Sequence, residues 1–114
     1  MKKAIFTTIV LALISLSSFG QADIKKKKET FTVYGNCGMC ERTIEAAVTD
    51  QKGVFSADWN QETKKMVVSY NPEKITLEKI KQRIANAGYD SDSHRATDKK
   101  YNALHGCCQY ERPE

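Results

Sequence analysis

The chain has 114 residues, a formal net charge of +4, and is 28% charged and 40% hydrophobic, which admits one small domain with a single core and leaves no room for two. The positive charge is not spread over a surface: Lys2, Lys3, Lys25, Lys26, Lys27 and Lys28 stand against only Asp23 at the start of the chain, and the rest is close to neutral. A basic run at one end of a neutral body argues against a nucleic-acid footprint.

The chain opens with Lys2 and Lys3, continues as the uncharged apolar run Ala4 to Phe19, and then offers small residues at Ser18, Gly20 and Ala22. This is the layout of a cleaved secretory signal, cut after Gly20 or Ala22. The run is shorter than the roughly 20 apolar residues that span a bilayer. The expected divisions are a signal over 1–22, a basic leader over 23–29, a domain over 30–95 and a tail over 96–114. Localisation is therefore expected to be periplasmic or secreted. Lys25 to Lys28 read as a solvated leader, with weak contact to anionic lipid headgroups as the second reading.

Phe31 and Val33 fall on one side of an extended stretch that ends at Gly35, which predicts a first strand. From Gly38 to about Asp50, Ile44, Ala47 and Val48 recur at helical spacing and Gly53 stops the helix. Phe55, Ala57 and Trp59 alternate, Asn60 to Lys64 turn the chain, and Met66, Val68 and Tyr70 alternate again, which predicts a hairpin. Trp59 and Met66 are expected in the core. After Pro72, Thr76 caps a second helix with Leu77, Ile80, Ile84 and Ala87 on one side, Glu78, Lys79, Lys81 and Arg83 outward, and Gly88 past its end. Tyr89 to Ser93 would supply a last strand. The order β-α-β-β-α-β predicts an α+β, ferredoxin-like sandwich: a four-stranded antiparallel sheet with two helices on one face, followed by a short helical tail.

Cys37-Gly38-Met39-Cys40 stands where the first strand gives way to the first helix. A thiol-disulfide oxidoreductase of the thioredoxin type uses this local pattern. Such a protein would also need an aromatic residue before the first cysteine and a later proline facing the thiols, whereas Asn36 precedes Cys37 and a hairpin follows the helix. The alternative is a metal. Two sulfurs converging at a helix start, near backbone N–H groups not yet paired, favour thiolates, and two thiolates with no hard oxygen ligand but Glu41 select soft ions such as Cu(I). A tetrahedral structural zinc module would need two more donors.

These residues resemble the heavy-metal-associated (HMA) domain family, in its secreted or periplasmic copper- or mercury-binding form: Gly-x-Cys-x-x-Cys at a helix start, Gly53-Val54 before the second strand, Val67-Val68-Ser69-Tyr70 closing the hairpin, and Ala87-Gly88-Tyr89 after the second helix. The resemblance covers about Phe31 to Ser93. It implies a ferredoxin-like fold and binding of Cu(I), or of Hg(II), through Cys37 and Cys40, with Tyr89 shielding the ion. The family usually carries a methionine two residues before the first cysteine, packed inward beneath the loop; here Gly35 holds that place.

The tail adds a second set of candidates. Thr97 can cap a short helix with Tyr101, Leu104 and His105 on one face, Gly106 can end it, and Cys107-Cys108 follow. His105, Cys107 and Cys108 could raise the coordination of the Cys37–Cys40 pair to three or four; a disulfide involving Cys107 or Cys108 is the competing reading, since the four cysteines allow three pairings. Met39 is expected to pack or stay exposed. No catalytic triad, carboxylate pair or phosphate loop is visible, so the expectation is a non-enzymatic protein that captures a thiophilic ion, Cu(I) first, then Hg(II) and Zn(II), and hands it to a protein such as a transporter or efflux component.

Overall fold

The computed structural model describes residues 25–114; the expected signal over 1–22 lies outside the described residues. The elements run β1 (Lys27–Thr32), α1 (Gly38–Thr49), β2 (Val54–Trp59), β3 (Lys65–Tyr70), α2 (Leu77–Asn86), α3 (Asp98–Asn102) and a 3-10 turn (Gly106–Cys108). The sheet has the order β1-β3-β2, antiparallel throughout, with β3 in the centre. β1 starts at Lys27, three residues before the expected edge of the domain, because Val68, Ser69 and Tyr70 extend far enough to pair with Glu29, Lys28 and Lys27.

The expected fourth strand is a correction. Residues 89–93 touch β1's continuation through a single bridge, Val33 to Ser91, flanked by the Tyr34 N–H donating to the Asp90 carbonyl (2.9 Å) and the Asp92 N–H donating to the Thr32 carbonyl (3.1 Å). A strand does not form because Ser91 turns back on His94, whose carbonyl accepts the Ser91 N–H at 2.8 Å, and because the Asp90 carboxylate accepts the Ala96 N–H at 2.7 Å. The described fold is thus a small α+β unit with three strands and three α-helices.

Phe31, Met66, Val68 and Tyr70 share the inner face of the sheet with Trp59, and Ile44, Val48, Ile80 and Ile84 from the helices close over it. Thr76 caps α2 as expected, its hydroxyl accepting the Lys79 N–H at 3.1 Å, and Gly53 (φ 93°) and Gly88 (φ 105°) take the left-handed turns that end the two helices.

Two expectations of facing fail. The ladder slips between Val54 and Ser56, and such a bulge turns the following side chain to the other face. Phe55 is therefore exposed while Val54 joins the core. Lys81 is not outward either: it is mostly buried, lies 4.9 Å over the Phe31 ring and donates to Asp92 (2.9 Å) and Ser93 (3.0 Å).

The tail is part of the core rather than an appendage to it. Cys108 and Tyr110 are buried in the same cluster as Ile44 and Tyr89. The Tyr110 hydroxyl accepts the Asp90 N–H at 2.8 Å and donates to the Gly88 carbonyl at 3.0 Å. Its ring stacks on Tyr89 (centroids 5.7 Å apart) and meets Tyr101 edge-on (5.1 Å). Arg112 then closes the end, donating to both carboxylate oxygens of Asp90 (2.9 and 3.0 Å), to Asp98 (2.8 Å) and to the Ala96 carbonyl (2.5 Å).

Candidate metal site

Cys37 is the N-cap of α1, in extended backbone, and Cys40 lies in its first turn. The two sulfurs converge as expected, 3.7 Å apart. The loop that aims Cys37 is held from below by Trp59, whose indole N–H donates to the Val33 carbonyl at 2.9 Å. From the hairpin, Lys64 reaches across the same indole (5.5 Å) and donates to the Gly35 carbonyl at 2.6 Å. A Cβ on Gly35 would stand 3.0 Å from the Trp59 ring and 3.2 Å from Ile44 Cδ1. The indole fills the space beneath the loop, which is why glycine holds this position.

Cys40 is fully buried and Cys37 half-buried, so the pair is not the bare, exposed one that the motif suggests. The cover comes from the tail. The sulfur of Cys108, itself 2% exposed, joins those of Cys37 and Cys40 in a cluster whose ligand atoms all lie within 4.8 Å of one another. The Cys107 carbonyl lies 3.8 Å from the Cys37 sulfur and 3.4 Å from the Asn36 amide nitrogen that donates to it. Tyr89 is buried against the same thiols. Of the remaining tail candidates, Cys107 is exposed and its sulfur is 3.9 Å from that of Cys108 but outside the three-sulfur cluster. His105 is exposed and caps the 3-10 turn instead of continuing α3, so it does not reach the cluster. The reason is that α3 ends at Asn102, one turn too early to place His105 beside Tyr101. Met39 is 42% exposed beside the pair. All four cysteines are free thiols in this structure, with the Cys37–Cys40 and Cys107–Cys108 sulfurs well beyond bonding distance.

The thiols differ in their readiness to ionise. Cys37 is pulled down to about 7 by the backbone N–H groups of Cys40 and Met39 at the start of α1, with the neighbouring Cys40 and Cys108 thiols adding to the effect. Burial pushes Cys108 up to about 12, reinforced by Cys40. Burial, with the nearby Cys40 and Cys108, raises the Tyr89 hydroxyl well above the ordinary tyrosine value, so it remains a neutral phenol. One nucleophilic, metal-ready sulfur thus stands at the surface with two buried sulfurs, those of Cys40 and Cys108, sheltered behind it, an arrangement suited to capture from outside followed by completion within.

Sequence reasoning missed Tyr110 and Arg112, which seat Cys108. A signal for them exists: Cys108, Tyr110 and Arg112 alternate with exposed Gln109 and Glu111, the period of a half-buried extended segment.

Residues 30–90 match the heavy-metal-associated domain, and the chain belongs to that family. The copper chaperone CopZ of Staphylococcus aureus (strain JH9) is 36% identical over 64 residues, which are 55% of this chain and 94% of that protein. Among solved structures, a CopZ metallochaperone is 35% identical with a TM-score of 0.56, covering 57% of this chain and 98% of its own. The N-terminal domain of a potential copper-translocating P-type ATPase from Bacillus subtilis, in the Cu(I)-loaded state, is 27% identical with a TM-score of 0.56, covering 58% and 84%. The matched region ends before the tail that brings in Cys108.

Proposed function

We propose that this protein is a Cu(I) carrier that captures the ion through Cys37 and Cys40 and passes it by ligand exchange to the heavy-metal-associated domain of a transporter. The observation that bears most weight is the Cys37–Cys40 pair, 3.7 Å apart at the start of α1 with Cys37 ionising near neutral pH. Soft thiolates select Cu(I) over hard divalent ions, and the copper chaperone and the P-type ATPase domain named above support that choice of ion and of partner class. Cys37 and the exposed Met39 offer an approach to the site for an incoming sulfur.

We infer a location outside the cytoplasm from the expected signal over residues 1–22. In an oxidising compartment Cys37 and Cys40 must be kept reduced or be protected by their ion. The role is that of a carrier and not of a catalyst. A disulfide exchanger would cycle without metal; a carrier loses its ion to an acceptor and is otherwise unchanged.

The test mixes the Cu(I)-loaded, reduced protein with a metal-free heavy-metal-associated domain from a P-type ATPase and separates the two by ion exchange. Copper is expected in the acceptor fraction within the mixing time, and not when the acceptor's cysteines are replaced by serine. Copper that stays with this chain against an excess of acceptor refutes the transfer. Amino-terminal sequencing of the protein from a periplasmic extract tests its location, with a start after Gly20 or Ala22 expected.

A further inference from the structure

We propose that Cys108 is the third thiolate of the site, so that the tail folds back to close a three-sulfur ring around the ion; the proposal rests on the Cu(I) reading above and deepens it. The three sulfurs of Cys37, Cys40 and Cys108 come from a loop, a helix and the tail, yet all lie within 4.8 Å of one another. With a metal–thiolate bond of about 2.3 Å, two sulfurs in a line stand about 4.6 Å apart and three in a plane about 4.0 Å apart. The observed Cys37–Cys40 separation of 3.7 Å is shorter than the linear arrangement and close to the trigonal one. The pair at 3.7 Å must open by about 0.3 Å to reach the trigonal spacing and by about 0.9 Å to reach the linear one, so its geometry lies nearer the three-sulfur arrangement.

A buried cysteine is often only a small apolar residue filling a gap. Cys108 differs in being steered. On one side the Asn36 amide and the Cys37 sulfur engage the Cys107 carbonyl. On the other, Tyr110 is fixed by two hydrogen bonds to the backbone of Gly88 and Asp90. Arg112 is fixed in turn by the Asp90 carboxylate. A tail pinned two and four residues beyond Cys108 holds its sulfur over the pair without ordering cost at the moment of binding. Preorganisation of this kind is expected to raise retention: an incoming thiolate must displace Cys108 as well as the partner sulfurs of the helix start, so the ion leaves only for an acceptor that competes for it.

The test is copper K-edge X-ray absorption on the full chain loaded with one equivalent of Cu(I), reduced with a phosphine so that no added thiol contributes sulfur. Alongside it runs competition with a chromophoric Cu(I) chelator for the wild type, Cys108→Ser and Cys107→Ser. The wild type is expected to show three sulfurs in one shell, Cys108→Ser two with an affinity lower by about tenfold or more, and Cys107→Ser the wild-type values. Two sulfurs in the wild type, or an unchanged affinity in Cys108→Ser, overturn the third ligand and leave the Cys37–Cys40 site standing; loss of a sulfur in Cys107→Ser overturns it likewise. Failure of the wild type to take up Cu(I) at all overturns the underlying reading along with it. Because the wild-type sulfur count decides by itself, the proposal stays open to refutation even should Cys108→Ser not fold.

Discussion

Trp59 and Gly35 are complementary: the indole edge stands 3.0 Å from where a Cβ on Gly35 would be, and the ring's N–H is bonded to Val33 just upstream. The bulk that supports the metal loop is thus delivered from β2. Gly35→Ala forces the ring or Ile44 to move and is expected to cost about 1–3 kcal/mol. Trp59→Ala opens a cavity beneath the loop and is expected to cost about 3–5 kcal/mol. Gly35→Met combined with Trp59→Ala refills it from the other side, so the double variant should fall short of the sum of the separately measured Gly35→Met and Trp59→Ala losses by more than about 0.5 kcal/mol in urea unfolding. Strict additivity would show that the two positions do not share the space.

The tail's anchor has a defined pH range. Burial by itself would raise the Asp90 carboxyl, but the Arg112 guanidinium and the Ala96 N–H outweigh it and hold it below its ordinary value of 3.8. A carboxyl lowered in the folded state lends stability above its unfolded value and withdraws it as pH falls through the folded one. Docking of the tail should therefore be constant through neutral and mildly acidic pH and fail only below about 4, read as the near-ultraviolet circular dichroism of the stacked Tyr89 and Tyr110 rings. Loosening that begins near neutral pH would contradict this.

Arg112→Met leaves the Asp90 carboxylate, 1% exposed, buried without its charge partner. The expected loss is about 3 kcal/mol of stability, with Cys108 alkylated faster in the folded protein. A variant as stable as the wild type, with Cys108 still protected, would show that the pair does not hold the tail.

Cys37 and Cys108 should separate under pH-dependent alkylation followed by peptide mass analysis. With its thiol lowered to about 7, Cys37 is half thiolate near neutrality, so its rate should fall about tenfold per unit only below that point. Cys108, pushed up to about 12 and buried, should stay unlabelled over the same range. A Cys37 midpoint at the ordinary thiol value of about 8.5 would remove the helix start as the source of its reactivity.

The fold is expected to form without an ion. Phe31, Val33, Ile44, Trp59, Met66, Val68, Ile80 and Ile84 make a core from residues that are not ligands. Removing metal with a chelator is expected to leave the circular dichroism and a cooperative unfolding transition in place, with the midpoint lowered only by the binding free energy. Loss of the helical signal on chelation would point to a structural zinc module instead.

Much of this was legible in the sequence because it rests on local periodicity and caps: α1 from Gly38, the hairpin with Trp59 and Met66 inside, and α2 from its Thr76 cap all follow from spacing. The errors lie where a bend or a bulge interrupts the pattern that composition suggests. The segment after Gly88 has a strand's composition but is bent by Ser91, His94 and the Asp90–Ala96 bond; Phe55 keeps its place in an alternation that a bulge reverses. At the site, the Cys37–Cys40 pair follows from the motif. Which tail residue meets it does not, since that depends on where Tyr110 and Arg112 land, and both find partners about twenty residues back.

The central claim is tested most directly by native mass spectrometry of the reduced chain titrated with Cu(I), beside the same titration of Cys37→Ser. One Cu(I) ion bound per wild-type chain, and none retained by Cys37→Ser under equal competition from a chelator, is the predicted result. Equal loading and retention in the two proteins would contradict it.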